Sequence, residues 1–388
     1  MNISVAAVAM QESLGWSQTE KGLVLSSFFL GYLLFMLASG WFATRFGGKR
    51  VLGLSVLAWS AFTLLTPWAA ALSLPALLAT RVAMGVGEAG MYPASFELLG
   101  RWVPLSERAR AVSRVLSGVP IGTVVGLLAS GWLVGHYSWP MAFYAFGVLG
   151  LLWVLVWFRQ VSDDPTRDPR VSADERSLLP AALPRARGLG DVPWRRLLLR
   201  VPVLAILTAH FASNWCLYVL VSWLPSYFRD VQHLSLAGAG LFSAAPWLAM
   251  FGVSTLAGSV SDRLIVRGLS VTLTRKLMQC TALLVPAVLL LVIRDVHSPA
   301  AALALVCGAA GALGCTFCGY GPAIIDLAPR HGALVIGLSN MTATIPGIVG
   351  VAVTGWLVEI TGTYEAAFVA HCRGQRGRRL SLRHPLPG

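Results

Sequence analysis

Apolar runs of about 20 residues recur along this chain, separated by short and mostly basic loops. That length of apolar helix is what crosses a hydrocarbon core. Ten such runs are legible: 22–43, 51–72, 76–100, 115–134, 140–158, 201–228, 236–260, 273–293, 300–325 and 333–358. The chain is 56% hydrophobic and 12% charged, where a soluble domain carries about 25% charged residues. So much apolar surface cannot be hidden from water, and the expected class is an all-α, multi-pass integral membrane protein, in the inner or plasma membrane if the source is bacterial.

The net charge of +13 does not imply a nucleic-acid partner, because the basic residues fall between the apolar runs. Loops 45–50, 101–114, 159–200 and 263–276 are basic, whereas the opposite side shows only Lys21, Arg229 and Arg294. The positive-inside rule makes the first set cytoplasmic. Six cysteines, mostly inside apolar runs, imply no disulfide framework, and Cys315 and Cys318 form a CxxC best read as small-residue helix packing. There is no metal-ligand cluster, nucleophile–base pair or phosphate-binding loop, so neither a cofactor nor an enzyme is expected. Residues 1–10 are apolar but too short to span, no cleavable signal peptide is evident, and Gln11 to Lys21 reads as a polar loop.

The run from Ala76 to Gly100 organises the rest, because it carries Arg81 and Glu88 in its interior. Seven residues are about two helical turns, so the charges share one face roughly 10 Å apart. A charge at membrane depth costs on the order of 3 kcal/mol on insertion scales, and such residues face a cavity or a partner. Ala83, Gly85, Gly87, Ala89 and Gly90 would let neighbouring helices approach. The run is therefore one wall of a substrate path, or else Arg81 and Glu88 are a buried ion pair that only holds the bundle. Tyr32 is either a packed aromatic or a hydroxyl donor in a cavity, and His210 is a packed, hydrogen-bonded residue or a titrating one. Glu97 pairs with the Arg45 loop or sits among headgroups. Pro225, Pro246 and Pro346 bend helices for gating or mark tolerated kinks.

Two stretches recur. Gly40…Thr44-Arg45 matches Gly258…Asp262-Arg263, and Gly126 to Val134 matches Gly350 to Val358; the offsets are 218 and 224 (258−40 and 350−126). Two copies of one topology flanking a central site are the plan of a rocking carrier. The expected division is 1–160, an N-terminal bundle with an incomplete first helix; 161–197, a cytoplasmic linker in which Ser172 and Glu175 fit a capping box; 198–370, a C-terminal bundle with an incomplete last helix; and 371–388, a basic tail. That tail, with Arg373, Arg376, Arg378, Arg379 and Arg383, interrupts the repeat and reads as a frameshifted or misjoined end rather than a lipid-binding segment.

These residues resemble the major facilitator superfamily: two six-helix pseudo-repeat bundles, here with the first and last helices truncated. The loop 40–50 and its copy at Gly258 look like the superfamily's cytoplasmic gating motif, with Thr44 standing where an aspartate is usual. Gating would then rest on Arg45, Asp262 and Arg263. Arg81…Glu88…Tyr92-Pro93, His210…Asn214-Trp215…Tyr218 and Asp326…Asn340…Pro346 are similar to the anion:cation symporter branch, which includes sialin, vesicular glutamate, phosphate and sugar-acid carriers. The resemblance implies that Arg81 holds the substrate's anionic group, that Glu88 couples protons, and that Tyr32, Asn214, Tyr218 and Asn340 line the cavity. Ser213, where the vesicular glutamate carriers have an arginine, argues against that specificity.

The function expected is secondary active transport of a small organic anion, a sugar acid or related carboxylate, coupled to H+ and carried out by a monomer in contact with membrane lipid. The alternatives are phosphate or Na+-coupled anion transport, a polytopic membrane enzyme, and an inactive truncated relic.

Overall fold

In the computed structural model, residues 2–104, 108–165, 168–178, 200–293, 296, 298–327 and 332–364 are described, and all the regular structure among them is helical. The basic tail lies outside these residues. The helices are α1 (Asn2–Leu14), α2 (Gln18–Phe46), α3 (Gly48–Leu72), α4 (Leu74–Glu88), α5 (Met91–Trp102), α6 (Arg108–His136), α7 (Trp139–Gln160), α8 (Ala173–Leu178), α9 (Val201–Asp230), α10 (Leu236–Val266), α11 (Val271–Val292), α12 (Pro299–Leu313), α13 (Thr316–Leu327) and α14 (Gly332–Thr361). Among the described residues, nine helical stretches are long and apolar enough to cross a membrane. Leu34, Trp41, Trp68, Leu72, Leu256 and Leu284 are well exposed along them, as side chains facing lipid would be.

Two expectations need correcting. The run 76–100 is not one helix: it divides at Ala89–Gly90 into α4 and α5, of 15 and 12 residues. Pro93 has no N–H to give the carbonyl of Ala89, and glycine at 90 weakens the turn it would have to continue. The run 300–325 divides in the same way between Leu313 and Thr316, 225 residues later (313−88 and 316−91). The paired breaks extend the internal repeat into three dimensions. The second correction concerns Lys21. A capping box, in which Ser17 Oγ accepts from the Glu20 N–H and Glu20 Oε2 from the Ser17 N–H, starts α2 at Gln18. Lys21 therefore lies inside a helix and is fully buried.

Helices α2 and α14 cross where a β-carbon at Gly22 would lie 3.2 Å from Gly355 Cα. Helices α6 and α10 cross where one at Gly240 would lie 3.0 Å from Gly131 Cα. The four glycines obey the repeat: 240−22 is 218 and 355−131 is 224. In lipid, where no hydrophobic force drives helix against helix, such close backbone approach is what packing attraction needs. Both crossings lie at the face opposite the basic loops. At the cytoplasmic ends of the same helices, β-carbons at Gly40, Gly118, Gly258 and Gly337 would meet no described atom within 4 Å. The helices thus touch backbone to backbone near one end, and these glycines near the other end make no such contact among the described residues.

The turn between α2 and α3 is fixed from outside itself. Gly47, at φ +89°, serves both helices, and its backbone passes so close to Asp163 that a β-carbon would lie 2.7 Å from Oδ1. Asp163 accepts the Lys49 N–H at 2.7 Å and Glu97 the Gly48 N–H at 2.8 Å. Two acids thereby satisfy the orphan donors and the positive end of α3. Glu97 also pairs with Arg101, so it grips the backbone of this loop rather than the Arg45 side chain. Beyond α7, Arg170 donates to both carboxylate oxygens of Asp168 (2.9 and 2.6 Å) and to the Gln160 carbonyl (2.7 Å), tying the start of the linker to the end of α7. Those hydrogen bonds hold the Asp168 carboxyl down to about 2, so the tie persists above the ordinary carboxylate range and is lost only as pH falls through that value. Ser172 Oγ accepts the Glu175 N–H at 3.2 Å, the cap expected at α8.

A leucine at 355 has no room in the closed crossing, since its β-carbon would fall on the Gln18 carbonyl oxygen. The Gly355→Leu variant is expected to part the outer ends of α2 and α14. Amide exchange over residues 18–25 and 352–359 should rise severalfold, with α3 and α7 unchanged. Unaltered exchange in a folded variant would contradict the crossing.

Candidate functional site

The site begins with a second close approach. A β-carbon at Gly31 would fall on the Val82 carbonyl, and one at Gly85 on the Phe28 carbonyl. Helices α2 and α4 consequently touch backbone to backbone, which brings Phe28 and Tyr32 beside the face of α4 that carries Arg81 and Glu88. The Phe28 and Tyr32 rings stack 5.9 Å apart, and Phe29, the next residue round, meets Tyr218 of α9 at 4.6 Å.

Arg81 is 4% exposed. Its Nη1 donates to Met84 Sδ at 3.0 Å and its guanidinium carbon lies 5.5 Å from the Phe28 ring centroid. Its buried Nε has no acceptor among the described residues. No carboxylate among the described residues comes within 4 Å of it; the ion pairs found are Arg101–Glu97, Arg170–Asp168 and Arg229–Glu12. A thioether and a ring face are weak partners for a cation. Leaving a charge uncompensated in a protein interior costs several kcal/mol. The ion-pair alternative for Arg81 and Glu88 is therefore not what the geometry contains.

Glu88 is the last residue of α4, at the helix break. Its carboxyl is within electrostatic reach of Arg81, Tyr32 on α2, Tyr92 on α5 and Tyr218 on α9. Three tyrosines and one arginine, from both copies of the repeat, thus share the electrostatic neighbourhood of one acid. Phe28, Met84 and Tyr92 were not singled out as site residues from the sequence. The signal was there for two of them: Phe28 precedes Tyr32 by one turn, and Tyr92 follows Glu88 by four.

The second copy contributes neutral groups. Asn214 Nδ2 donates to the Ala343 carbonyl at 3.2 Å, so this amide spends a donor on fastening α9 to α14. Asn340, one turn earlier on α14, is exposed. His210 is buried, its Nδ1 2.7 Å from Ser339 Oγ and its ring stacked 4.0 Å from Tyr320; it is a packed, hydrogen-bonded histidine. Ser213, Gln279 and Thr316 close a triangle of hydrogen bonds of 2.9–3.1 Å at the second helix break. Arg45, Asp262 and Arg263 lie at the cytoplasmic ends, exposed, and form no ion pair among the described residues. The structure does not bring these three together. No group of three or more metal-ligating side chains occurs among the described residues.

Two repeat-related sets of helices, with a buried arginine, an acid and aromatic side chains where they meet, fit the architecture of a membrane carrier. The profile of the Major Facilitator Superfamily matches residues 1–351, and the chain belongs to that family of membrane transporters. It is similar to "Probable anion transporter 1, chloroplastic" of Oryza sativa subsp. japonica, with 39% identity across 95% of this chain and 69% of that protein. It is 38% identical to "Sodium-dependent phosphate transport protein 1, chloroplastic" of Arabidopsis thaliana, covering 95% and 72%. With the "Ascorbate transporter, chloroplastic" of Arabidopsis thaliana it shares 37% identity, covering 95% and 68%. Among solved structures, a bacterial homologue of the human lysosomal transporter Spinster, inward-facing and unoccupied, superposes with a TM-score of 0.73 at 18% identity, over 95% of this chain and 84% of that one. A D-xylose-proton symporter gives 0.70 at 12%, over 95% and 92%. These two speak to the fold alone.

The position of Arg81 makes two readings separable. Replacing a buried charge that has no carboxylate in contact by an apolar isostere removes its desolvation cost. Arg81→Met is expected to raise the melting temperature while abolishing any rise on adding an anion, as followed by scanning fluorimetry. A lowered melting temperature would show instead that the guanidinium holds the bundle together.

Proposed function

We propose that the protein is a secondary active transporter of a small organic anion, a sugar acid or related carboxylate, that couples transport to protons and works by alternating access. The observation that carries this reading is Arg81: a buried guanidinium that has, among the described residues, no acceptor on Nε and no carboxylate within 4 Å. An anion leaving water needs a fixed cation, and a guanidinium grips carboxylate or phosphate with two parallel hydrogen bonds without losing its charge. The names of the plant relatives, which include an anion and an ascorbate transporter, support the same class of substrate.

In this mechanism the anion enters between Arg81 and the hydroxyls of Tyr32 and Tyr218, with Asn214 and Asn340 on the opposite wall. Binding neutralises Arg81, which weakens the positive field on Glu88, and Glu88 then takes a proton. The loaded site carries less charge, so it can be enclosed at smaller desolvation cost as the two bundles rock. Residues 1–160 and 198–370 are the rocking units, joined by 161–197, with Arg45, Asp262 and Arg263 meeting when the cytoplasmic side closes. Uphill transport of this kind belongs in an energised membrane, which for a bacterial source is the inner membrane, and the unit is a monomer. A second reading, phosphate transport driven by Na+, is favoured by the name of one relative, a sodium-dependent phosphate transport protein.

Uptake into proteoliposomes of labelled ascorbate, galacturonate and phosphate, each under a pH gradient and under a Na+ gradient, separates the two. The first reading expects uptake of a carboxylate driven by the pH gradient; phosphate uptake driven only by Na+ would favour the second. Glu88→Gln is expected to retain exchange of the transported probe at near the wild-type rate and to lose accumulation against a gradient. Accumulation surviving in that variant would refute the coupling role.

A further inference from the structure

Lys21 is as unusual as Arg81, and the mechanism above makes no use of it. It is 0% exposed. Its ammonium donates to Gln11 Oε1 at 2.6 Å and lies 4.9 Å from the ring centroid of Trp223. The acids nearest to it electrostatically, Glu12 and Asp230, are engaged elsewhere: Glu12 with Arg229 at 3.3 Å, and Asp230 with the Tyr364 hydroxyl at 2.6 Å. A cation held only by an amide and a ring face recovers little of its hydration. Such burial is costly in a single fixed structure, but it is tolerable in one state of a machine that has another.

The surroundings define that other state. Lys21 precedes Gly22, the closest point of the α2–α14 crossing at the outer face. Its cover comes from the other side of that crossing. Trp223 is tied to α14 by a hydrogen bond of 3.1 Å from Nε1 to the Val351 carbonyl, and β-carbons at both Gly22 and Gly355 would touch its ring. Gln11, on α1, belongs with α2. When the outer crossing opens, Trp223 leaves with α14, and Lys21 stays with Gln11 and becomes wet. Lys21, Leu25, Phe28 and Tyr32 stand at i, i+4, i+7 and i+11 on α2, one continuous face. Lys21 is thus roughly 10 Å outward of Phe28, the ring that lies against Arg81.

We propose that Lys21 is an outer anion-binding residue, the first cationic contact for the transported carboxylate or phosphate, presented only when the outer face is open and sealed under Trp223 when it closes. This rests on the reading of Arg81 as the inner anion site. An exposed ammonium at the vestibule mouth would raise the local anion concentration in a salt-dependent way.

The test uses the full chain in right-side-out and inside-out vesicles, with labelled ascorbate and inorganic phosphate as probes. Lys21→Gln is expected to raise the KM at the outer face at least fivefold, with kcat and the cytoplasmic-face KM unchanged and the salt dependence of the outer KM reduced; Lys21→Arg should restore it. An unchanged outer KM, or an equal rise at both faces, would overturn the proposal. If the wild-type protein moves neither probe, the Arg81 reading fails first, and an impermeant amine reagent then decides for Lys21 alone. Labelling from the outer face that is slowed by added phosphate supports the proposal. Lys21 that never reacts, or reacts at a rate phosphate does not alter, overturns it.

Discussion

A buried cation with no carboxylate within 4 Å of it among the described residues is the constraint on which the rest of this structure depends. Arg81 rests on a thioether and a phenyl face, with Glu88 within electrostatic reach but not paired with it. That arrangement is unstable by several kcal/mol relative to a paired or hydrated charge. The backbone contact of α4 with α2 at Gly31 and Gly85 holds the guanidinium against the Phe28 ring, where it is buried. A guanidinium held in this way can grip an anion.

The same device, glycine at a helix crossing, appears at the outer face in two repeat-related copies. Gly22 against Gly355 and Gly131 against Gly240 close one end of the path, while the glycines near the opposite ends of these helices make no such contact among the described residues. Packing of this sort is dispersive and short-ranged, so it can be made and broken as a unit without loss of hydrophobic burial. The cytoplasmic turn between α2 and α3 is fastened differently, by Glu97 and Asp163 on backbone N–H groups. Glycine contacts also join α2 to α4, so the same device serves both within a bundle and between bundles.

Much of this was legible in the residues. Apolar run length marked the helices, and the offsets of 218 and 224 marked the repeat that the glycine pairs and the two helix breaks obey. Arg81 and Glu88 stood out because charge is costly in such a run. Pro93 and Gly90 signalled a break that the overall hydropathy of 76–100 obscured. Ser17 and Glu20 spelled a capping box inside a segment read as a loop, so Lys21 passed for an exposed charge. Other features could not be read at all. Nothing in the chain says that Gly22 meets Gly355, that Trp223 covers Lys21, or that Asn214 spends its amide on Ala343, because these are tertiary pairings set by crossing geometry.

The most direct measurement is the structure of the protein in lipid nanodiscs with a saturating anion, ascorbate or phosphate. The account predicts the anionic group within hydrogen-bonding distance of Arg81, on Nε as well as the terminal nitrogens, in the space bordered by Tyr32 and Tyr218. An anion bound elsewhere, with Arg81 still resting on Met84 alone, would contradict it.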